Sequence, residues 1–339
     1  MREAEFYEGR DDNKVSCLLC PNRCVIAPGK AGVCRVRRNV DGKLVAANYG
    51  KVTSFAMDPI EKKPLYQFYP GHWILSVGTM GCNLHCRFCQ NWEIAHGEPY
   101  GTEVSCEQIV EVAAEEQFRH CVGVAFTYSE PSVWYEFVYD TAVLSHKNGL
   151  KNVLVTNGYL EAEPLNELLP YIDAMNIDVK AFTDDYYRKI CAGFLQPVKR
   201  TVEIASKRCH VELTTLLVTG LNDSPEEIEE LVSWIASIDP DIPLHLSRYF
   251  PNYRMDLPPT PEKTMRRAWE IARSKLNYVY IGNMRDGKAN DTYCPNCKKA
   301  VIKREGYLVT EVNLKGKECS FCGYVLKIEG EARVNWAVV

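Results

Sequence analysis

Short apolar runs recur through the middle of this chain, separated by longer stretches in which apolar residues return every three or four positions. The runs Trp73–Met80, Gly123–Tyr128, Asn152–Thr156, Ala174–Val179, His210–Val218 and Leu244–Tyr249 predict strands, and Tyr278–Gly282 predicts a seventh. Cys106–Phe118 and Pro225–Ile238 carry the helical period. The second of these opens on Ser224, with Pro225 next and Glu227 three residues on, the pattern of a capping box. Alternating strands and helices predict an α/β fold with a parallel sheet and helices outside. Six or seven such units predict a full or partial parallel βα barrel, whose active site would lie at the C-terminal ends of the strands.

The two ends of the chain have a different texture. Residues 15–50 hold a cysteine cluster, interleaved glycine and proline, and an Asp41-Gly42 pair that predicts a hairpin turn. Beyond about residue 290 two C-x2-C pairs appear. The expected organisation is an N-terminal cysteine segment over 1–69, a barrel over 70–289 and a small metal-binding domain over 290–339.

Size and charge narrow the class. A chain of 339 residues with 46% hydrophobic content can bury a large core. A net charge of −4 argues against a general binder of nucleic acid or anionic membranes. The first residues are charged and carry no apolar signal segment, and no run approaches the ~18 apolar residues of a membrane span. A soluble, cytoplasmic protein is expected. In that setting fifteen cysteines point to metal rather than disulfides, since eleven of them fall into three tight clusters. The scattered Cys106, Cys121, Cys191 and Cys209 read as packed thiols.

The central cluster is Cys82, Cys86 and Cys89, spaced C-x3-C-x2-C on a loop that starts at Gly81 after the first predicted strand. A [4Fe–4S] cluster normally takes four thiolates. Three nearby cysteines hold three irons and leave the fourth open to a small molecule. A zinc knuckle with a distant fourth ligand is the competing reading. With Phe88 beside Cys89, the run closely resembles the radical S-adenosylmethionine (SAM) signature. Residues 70–285 resemble the activating-enzyme branch of that superfamily, typified by pyruvate formate-lyase activating enzyme. The run Cys89-Gln90-Asn91-Trp92-Glu93 and the flanking cysteine clusters resemble the radical SAM enzymes of the AmmeMemoRadiSam system.

The resemblance implies that SAM chelates the open iron, is cleaved reductively to a 5′-deoxyadenosyl radical, and yields a species that abstracts hydrogen from a substrate. That substrate is a protein glycine or a small molecule. An electron donor such as ferredoxin or flavodoxin is implied, and Amme-like and Memo-like proteins are implied partners. A non-catalytic electron-transfer or metal-scaffold protein is the reading from another class.

Strand ends supply the candidate cofactor residues. Thr127-Tyr128-Ser129-Glu130-Pro131 sits where related enzymes carry a Gly-Gly-Glu motif, which makes Glu130 the candidate acceptor for the SAM ammonium, with Ser129 in place of a glycine. Asn157, before Gly158, is a candidate hydrogen-bonding partner of the cofactor. Asp178 and Lys180, two apart on a strand, share a face and suit ribose hydroxyls and the SAM carboxylate. The turn Val218–Asp223 suits a place beside the adenine, while His245, Arg248 and the Arg285-Asp286 pair are weaker candidates.

Both flanking sets read as metal sites. Cys294, Cys297, Cys319 and Cys322 are close to a zinc-ribbon pattern and suit zinc or, as in rubredoxin, iron. Cys17, Cys20, Cys24 and Cys34 suit zinc or a second Fe–S cluster. The basic run Arg35-Val36-Arg37-Arg38 beside them reads as a solvated face or a landing surface for an acidic partner.

Overall fold

A computed structural model describes residues 2–284 and 287–335. Eight strands make the main sheet: β1 (Ser54–Pro59), β2 (Trp73–Gly78), β3 (Cys121–Phe126), β4 (Lys151–Thr156), β5 (Ala174–Asp178), β6 (His210–Leu217), β7 (Leu244–Arg248) and β8 (Val279–Gly282). Each strand pairs with its neighbour in sequence. Strands β2 to β8 run parallel, and β1 lies antiparallel to β2 with Ser54 opposite Gly78. All seven expected strands are present. β1 has no counterpart in the sequence reading, because an edge strand half open to solvent shows no strong apolar run. The edges β1 and β8 do not pair, so the barrel is partial.

Among the described residues, seven α-helices of five or more residues accompany the sheet: α1 (Trp92–His96), α2 (Cys106–Glu115), α3 (Tyr135–Lys147), α4 (Ala162–Leu168), α5 (Leu195–Ala205), α6 (Pro225–Ile238) and α7 (Glu262–Arg273). They bury one apolar face each, such as Ile109, Val110 and Ala113 of α2 and Ile228, Leu231, Val232 and Ile235 of α6. Ser105 and Gln108 form a reciprocal capping box on α2. On α6 only half of the expected box forms. Ser224 accepts from the Glu227 N–H at 3.2 Å, but the Glu227 carboxylate accepts from the Phe182 N–H at 2.6 Å, tying the end of β5 to α6.

Period-two alternation stacks the inner residues of the sheet in tiers. Asn176 lies below Asp178 on β5, Glu212 below Thr214 on β6, and His245 below Ser247 on β7. The lower tier is sealed by the segment that follows β1. Tyr66 and Gln67 donate their N–H groups to Glu212 at 3.0 and 2.7 Å, and Asn176 donates to the Pro64 carbonyl at 2.8 Å. His210 and His245 complete the shell of Glu212 at 3.0 and 2.6 Å. Burial would raise the Glu212 pKa, but these two imidazoles hold it down to about 2.

The open side of the sheet is closed by the C-terminal unit, whose hairpin is β9 (Ala300–Glu305) and β10 (Leu308–Val312). Arg304 is fully buried. It donates to the Tyr66 carbonyl at 2.7 Å and to Thr292 Oγ1 at 2.9 Å, and pairs with Glu61 at 3.5 Å. Tyr66, Tyr278 and Tyr280 pack into the core of this unit.

In the N-terminal part, Arg37–Val40 and Lys43–Ala46 pair around the expected Asp41-Gly42 turn, both residues at positive φ. The basic run is not a uniform solvated face. Strand alternation turns Arg37 inward, where it is 1% exposed and meets Glu136 of α3 at 2.8 Å, while Arg35 and Arg38 stay exposed. Among the described residues no helix is long and apolar enough to cross a membrane. The Arg285-Asp286 pair lies outside the described residues.

Candidate cluster and cofactor site

The loop after β2 carries Cys82, Cys86 and Cys89 and is braced from three directions. Gly81 sits at φ 95°, and a Cβ there would come within 2.8 Å of the Cys34 carbonyl oxygen, so only glycine lets the N-terminal cysteine segment pack so closely. His85 and Arg87 donate their N–H groups to the Cys191 and Ile190 carbonyls at 2.8 and 3.0 Å. Those acceptors belong to a π-helical turn over Tyr187–Cys191, ended by Ala192 at φ 58°. On the solvent side, α1 is anchored by stacking of Trp92 and His96 on Tyr253.

One cavity of about 450 Å³ is lined by all three of these cysteines and by Glu130, Asn157, Asp178 and Lys180. The parallel strands explain the convergence, since each residue lies at or just past the C-terminal end of β3, β4 or β5. Glu130 is buried. Its carboxylate accepts from the Ser132 N–H at 3.0 Å, Thr156 Oγ1 at 2.6 Å and the Asn157 N–H at 2.8 Å, which locks the ends of β3 and β4 together. Burial raises its pKa. One oxygen carries two of these bonds and the other only one, so acceptor capacity remains on the cavity side.

Asn157 faces the cluster loop. Its Nδ2 donates to Asn83 Oδ1 at 2.9 Å and to Cys82 Sγ at 3.6 Å. Gly158 is at φ 66°, and a Cβ there would strike the Ile177 side chain at 2.8 Å. Asp178 and Lys180 are joined by a 2.6 Å ion pair. Burial pushes the Lys180 ammonium down, but Asp178 and the Cys86 thiol outweigh it, and the net shift is upward. The lysine is therefore a fixed positive charge beside the cysteines.

The motif at 127–131 departs from a glycine pair in an instructive way. Tyr128 holds φ 70°, a left-handed conformation that costs an aromatic residue about 1–3 kcal/mol. Asn91 compensates by donating to its carbonyl at 2.6 Å, and its hydroxyl donates to Asp58 Oδ2 at 2.7 Å. Ser129 Oγ donates to the Thr79 carbonyl at 2.7 Å, which ties the strand end to the loop after β2.

Other candidates separate by side-chain direction. His245 points inward, while Arg248 emerges on the opposite face and is spent on the Thr260 carbonyl at 2.7 Å. The turn Val218–Asp223 lies outside the cavity lining; its Asn222 donates to the Lys180 and Leu216 carbonyls at 2.7 and 2.9 Å. A second cavity of about 340 Å³ adjoins the first through shared Thr214, Ser247, Asn283 and Tyr307, and extends to Tyr66 and His245.

Sequence reasoning missed several lining residues, among them Thr156, Thr214 and Ser247. The inward register of the expected strands is the signal that would have found them. Cys191, read as a packed thiol, is fully buried, and its carbonyl accepts from the His85 N–H at 2.8 Å, which braces the cysteine loop.

The C-terminal four cysteines form a compact site. Their sulfurs all lie within 4.8 Å of one another, with Cys294–Cys322 at 3.6 Å and Cys297–Cys319 at 3.7 Å. A tetrahedral ion with metal–sulfur bonds near ~2.3 Å sets its ligands ~3.8 Å apart, so one zinc or iron fits. Burial pushes Cys294 up to about 12, and the Tyr324 N–H pulls Cys322 down to about 6.

Residues 76–235 match the model of the radical SAM superfamily. The chain is 44% identical over 337 residues to the uncharacterized protein MJ0808 of Methanocaldococcus jannaschii, covering 97% of this chain and 99% of that one. It is 28% identical over 169 residues to the pyruvate formate-lyase-activating enzyme of Clostridium pasteurianum, covering 48% of this chain and 69% of the relative. Among solved structures, SuiB of Streptococcus suis bound to S-adenosylmethionine superposes with a TM-score of 0.52 at 14% identity, over 66% of this chain and 53% of that one. That likeness concerns the fold.

Proposed function

The chain belongs to the radical SAM superfamily, activating-enzyme-like branch, and from this premise we propose that it converts SAM to a 5′-deoxyadenosyl radical and directs that radical at a C–H bond of a bound substrate. The observation that carries the reading is the single cavity in which three cysteines on one loop meet Glu130, Asn157, Asp178 and Lys180 from three strand ends. The donor set fits an iron–sulfur cluster with one open position, since three thiols converge on the cavity and Asn157 supplies an N–H to one of their sulfurs. When bound, the cluster and SAM supply the one-electron chemistry.

The protein's share is placement and exclusion of water. Glu130 offers a carboxylate oxygen to an ammonium. Lys180 presents a permanent positive charge to a carboxylate, and Asp178 takes hydroxyl donors. Thr156 and Asn157 keep Glu130 oriented, so its position does not depend on the ligand.

Kinship with pyruvate formate-lyase activating enzymes favours a protein glycine as the target. A small-molecule target is favoured by the adjoining 340 Å³ cavity, which has His245, Tyr66 and Asn283 as polar contacts. A low-potential electron donor such as ferredoxin or flavodoxin, and Amme-like and Memo-like proteins, complete the proposal as partners.

Anaerobic reconstitution with iron, sulfide, SAM and a strong reductant is the test. Formation of 5′-deoxyadenosine is expected, and Cys86→Ala should abolish it. An intact cluster that yields none overturns the reading.

A further inference from the structure

The N-terminal cysteines Cys17, Cys20, Cys24 and Cys34 line one cavity together with Arg37, Asn22 and Val133. They converge from the strand Val15–Cys17, the turn that follows it and the loop before Arg37. Their spacing differs in kind from that of the C-terminal set. Among the described residues, the C-terminal set is the only group of three or more His, Cys, Asp or Glu side chains whose ligand atoms all lie within 4.8 Å of one another. No three of the N-terminal sulfurs meet that condition, although all four face one cavity. A single tetrahedral ion needs all of its sulfurs ~3.8 Å apart. A cluster needs them further apart, because its thiolates sit on different irons.

A second observation points at the same cavity. Arg37 is 1% exposed, and its Nη groups are engaged by Glu136 and the Glu5 carbonyl. Its Nε–H is buried and has no well-formed hydrogen bond, and the guanidinium lies close enough to Cys17 to draw that thiol down against its burial. A buried N–H without an acceptor is costly. The bridging sulfides of a cluster add acceptors inside the cavity beyond the cysteine thiolates, which a single-ion site offers as well. One thiol of the set already accepts a backbone donor, the Val33 N–H to Cys24 Sγ at 3.4 Å, a contact that either kind of site accommodates.

We infer that Cys17, Cys20, Cys24 and Cys34 bind an iron–sulfur cluster, with Arg37 Nε donating to its sulfur, rather than a single zinc or iron ion. The cluster would lie against the active-site loop. Asn22 donates to the Asn83 carbonyl at 2.7 Å, and the Cys34 carbonyl abuts Gly81, the residue before Cys82.

The experiment uses the full chain with Cys82, Cys86 and Cys89 all changed to Ala, reconstituted anaerobically with iron and sulfide. A four-cysteine single-ion site holds no acid-labile sulfide, so sulfide in this variant reports the N-terminal set alone. Two to four labile sulfides per chain are expected, with Mössbauer signals of a cluster. Arg37→Lys in the same background, which keeps the buried charge but not the Nε–H, is expected to retain the sulfide and shift the midpoint potential. A folded variant without labile sulfide, whether it carries one metal ion at these cysteines or none, overturns the inference. This outcome is independent of 5′-deoxyadenosine formation, which is read on the unaltered protein.

Discussion

The Asn157 amide donates to the Cys82 sulfur across 3.6 Å while it also holds Asn83 at 2.9 Å. One side chain at the end of β4 thus contacts a cysteine of the proposed cluster site and fixes the loop that carries it. An N–H to a thiolate offsets the extra negative charge of the reduced cluster. Asn157→Ala is therefore expected to leave iron content unchanged, lower the midpoint potential and slow 5′-deoxyadenosine formation by about 10–100-fold. Spectroelectrochemistry with a product assay checks this; an unaltered potential contradicts it.

Lys180 and Asp178 are expected to act on SAM rather than on cluster assembly. Lys180→Met removes the fixed charge beside the cysteines and leaves Asp178 without its 2.6 Å partner. Cluster absorbance should persist while the KM for SAM rises about tenfold, equivalent to ~1.4 kcal/mol. Loss of the cluster itself would show that the lysine serves the fold.

The Arg37–Glu136 pair predicts a stability effect. Both side chains are at most 1% exposed, so Glu136→Gln strands a buried guanidinium and should cost about 3–5 kcal/mol. The double variant Arg37→Gln/Glu136→Gln should cost less than the sum of the single changes. Denaturant titration of all four chains measures the coupling, and additivity would count against the pair.

Removing a C-terminal ligand separates that site from the others. Cys319→Ser is expected to release one metal ion per chain without loss of labile sulfide. Elemental analysis beside a sulfide assay decides it.

Mild acid should loosen the outer wall of the cluster loop. Burial, with help from His85, Arg35 and Arg254, lowers the His96 pKa from 6.5 to about 4. The unfolded chain therefore binds more protons than the native one between those values. Stability rises with pH across that window and is lost as pH falls through it. His96→Asn should flatten the dependence in denaturant midpoints taken from pH 4 to 7.

Much of the site was legible because the βα pattern converts sequence position into spatial position. Glu130, Asn157, Asp178 and Lys180 follow recognisable strands, and parallel strands bring their C-terminal ends to one rim. What stayed hidden depends on pairings no local pattern encodes. Arg37 read as part of a basic surface because its partner Glu136 lies 99 positions away. The brace that the Tyr187–Cys191 turn gives the cysteine loop through its backbone carbonyls also stayed hidden, because a π-helical turn leaves no period to detect. The cysteine spacings grouped the thiols but not their separations, and only the folded chain brings the four C-terminal sulfurs within 4.8 Å of one another.

The junction made by Arg304 bears on how the wall is held together. Strands β2 to β8 each pair with the next strand of the sheet, so the wall is built by successive βα crossovers. The far seam is held instead by a guanidinium that reaches Tyr66 across 238 positions and Glu61 across 243. The four C-terminal cysteines belong to the unit that supplies this guanidinium, so a change that unfolds them would also take the partner from the buried Glu61 carboxylate and loosen the seam on that side of the wall.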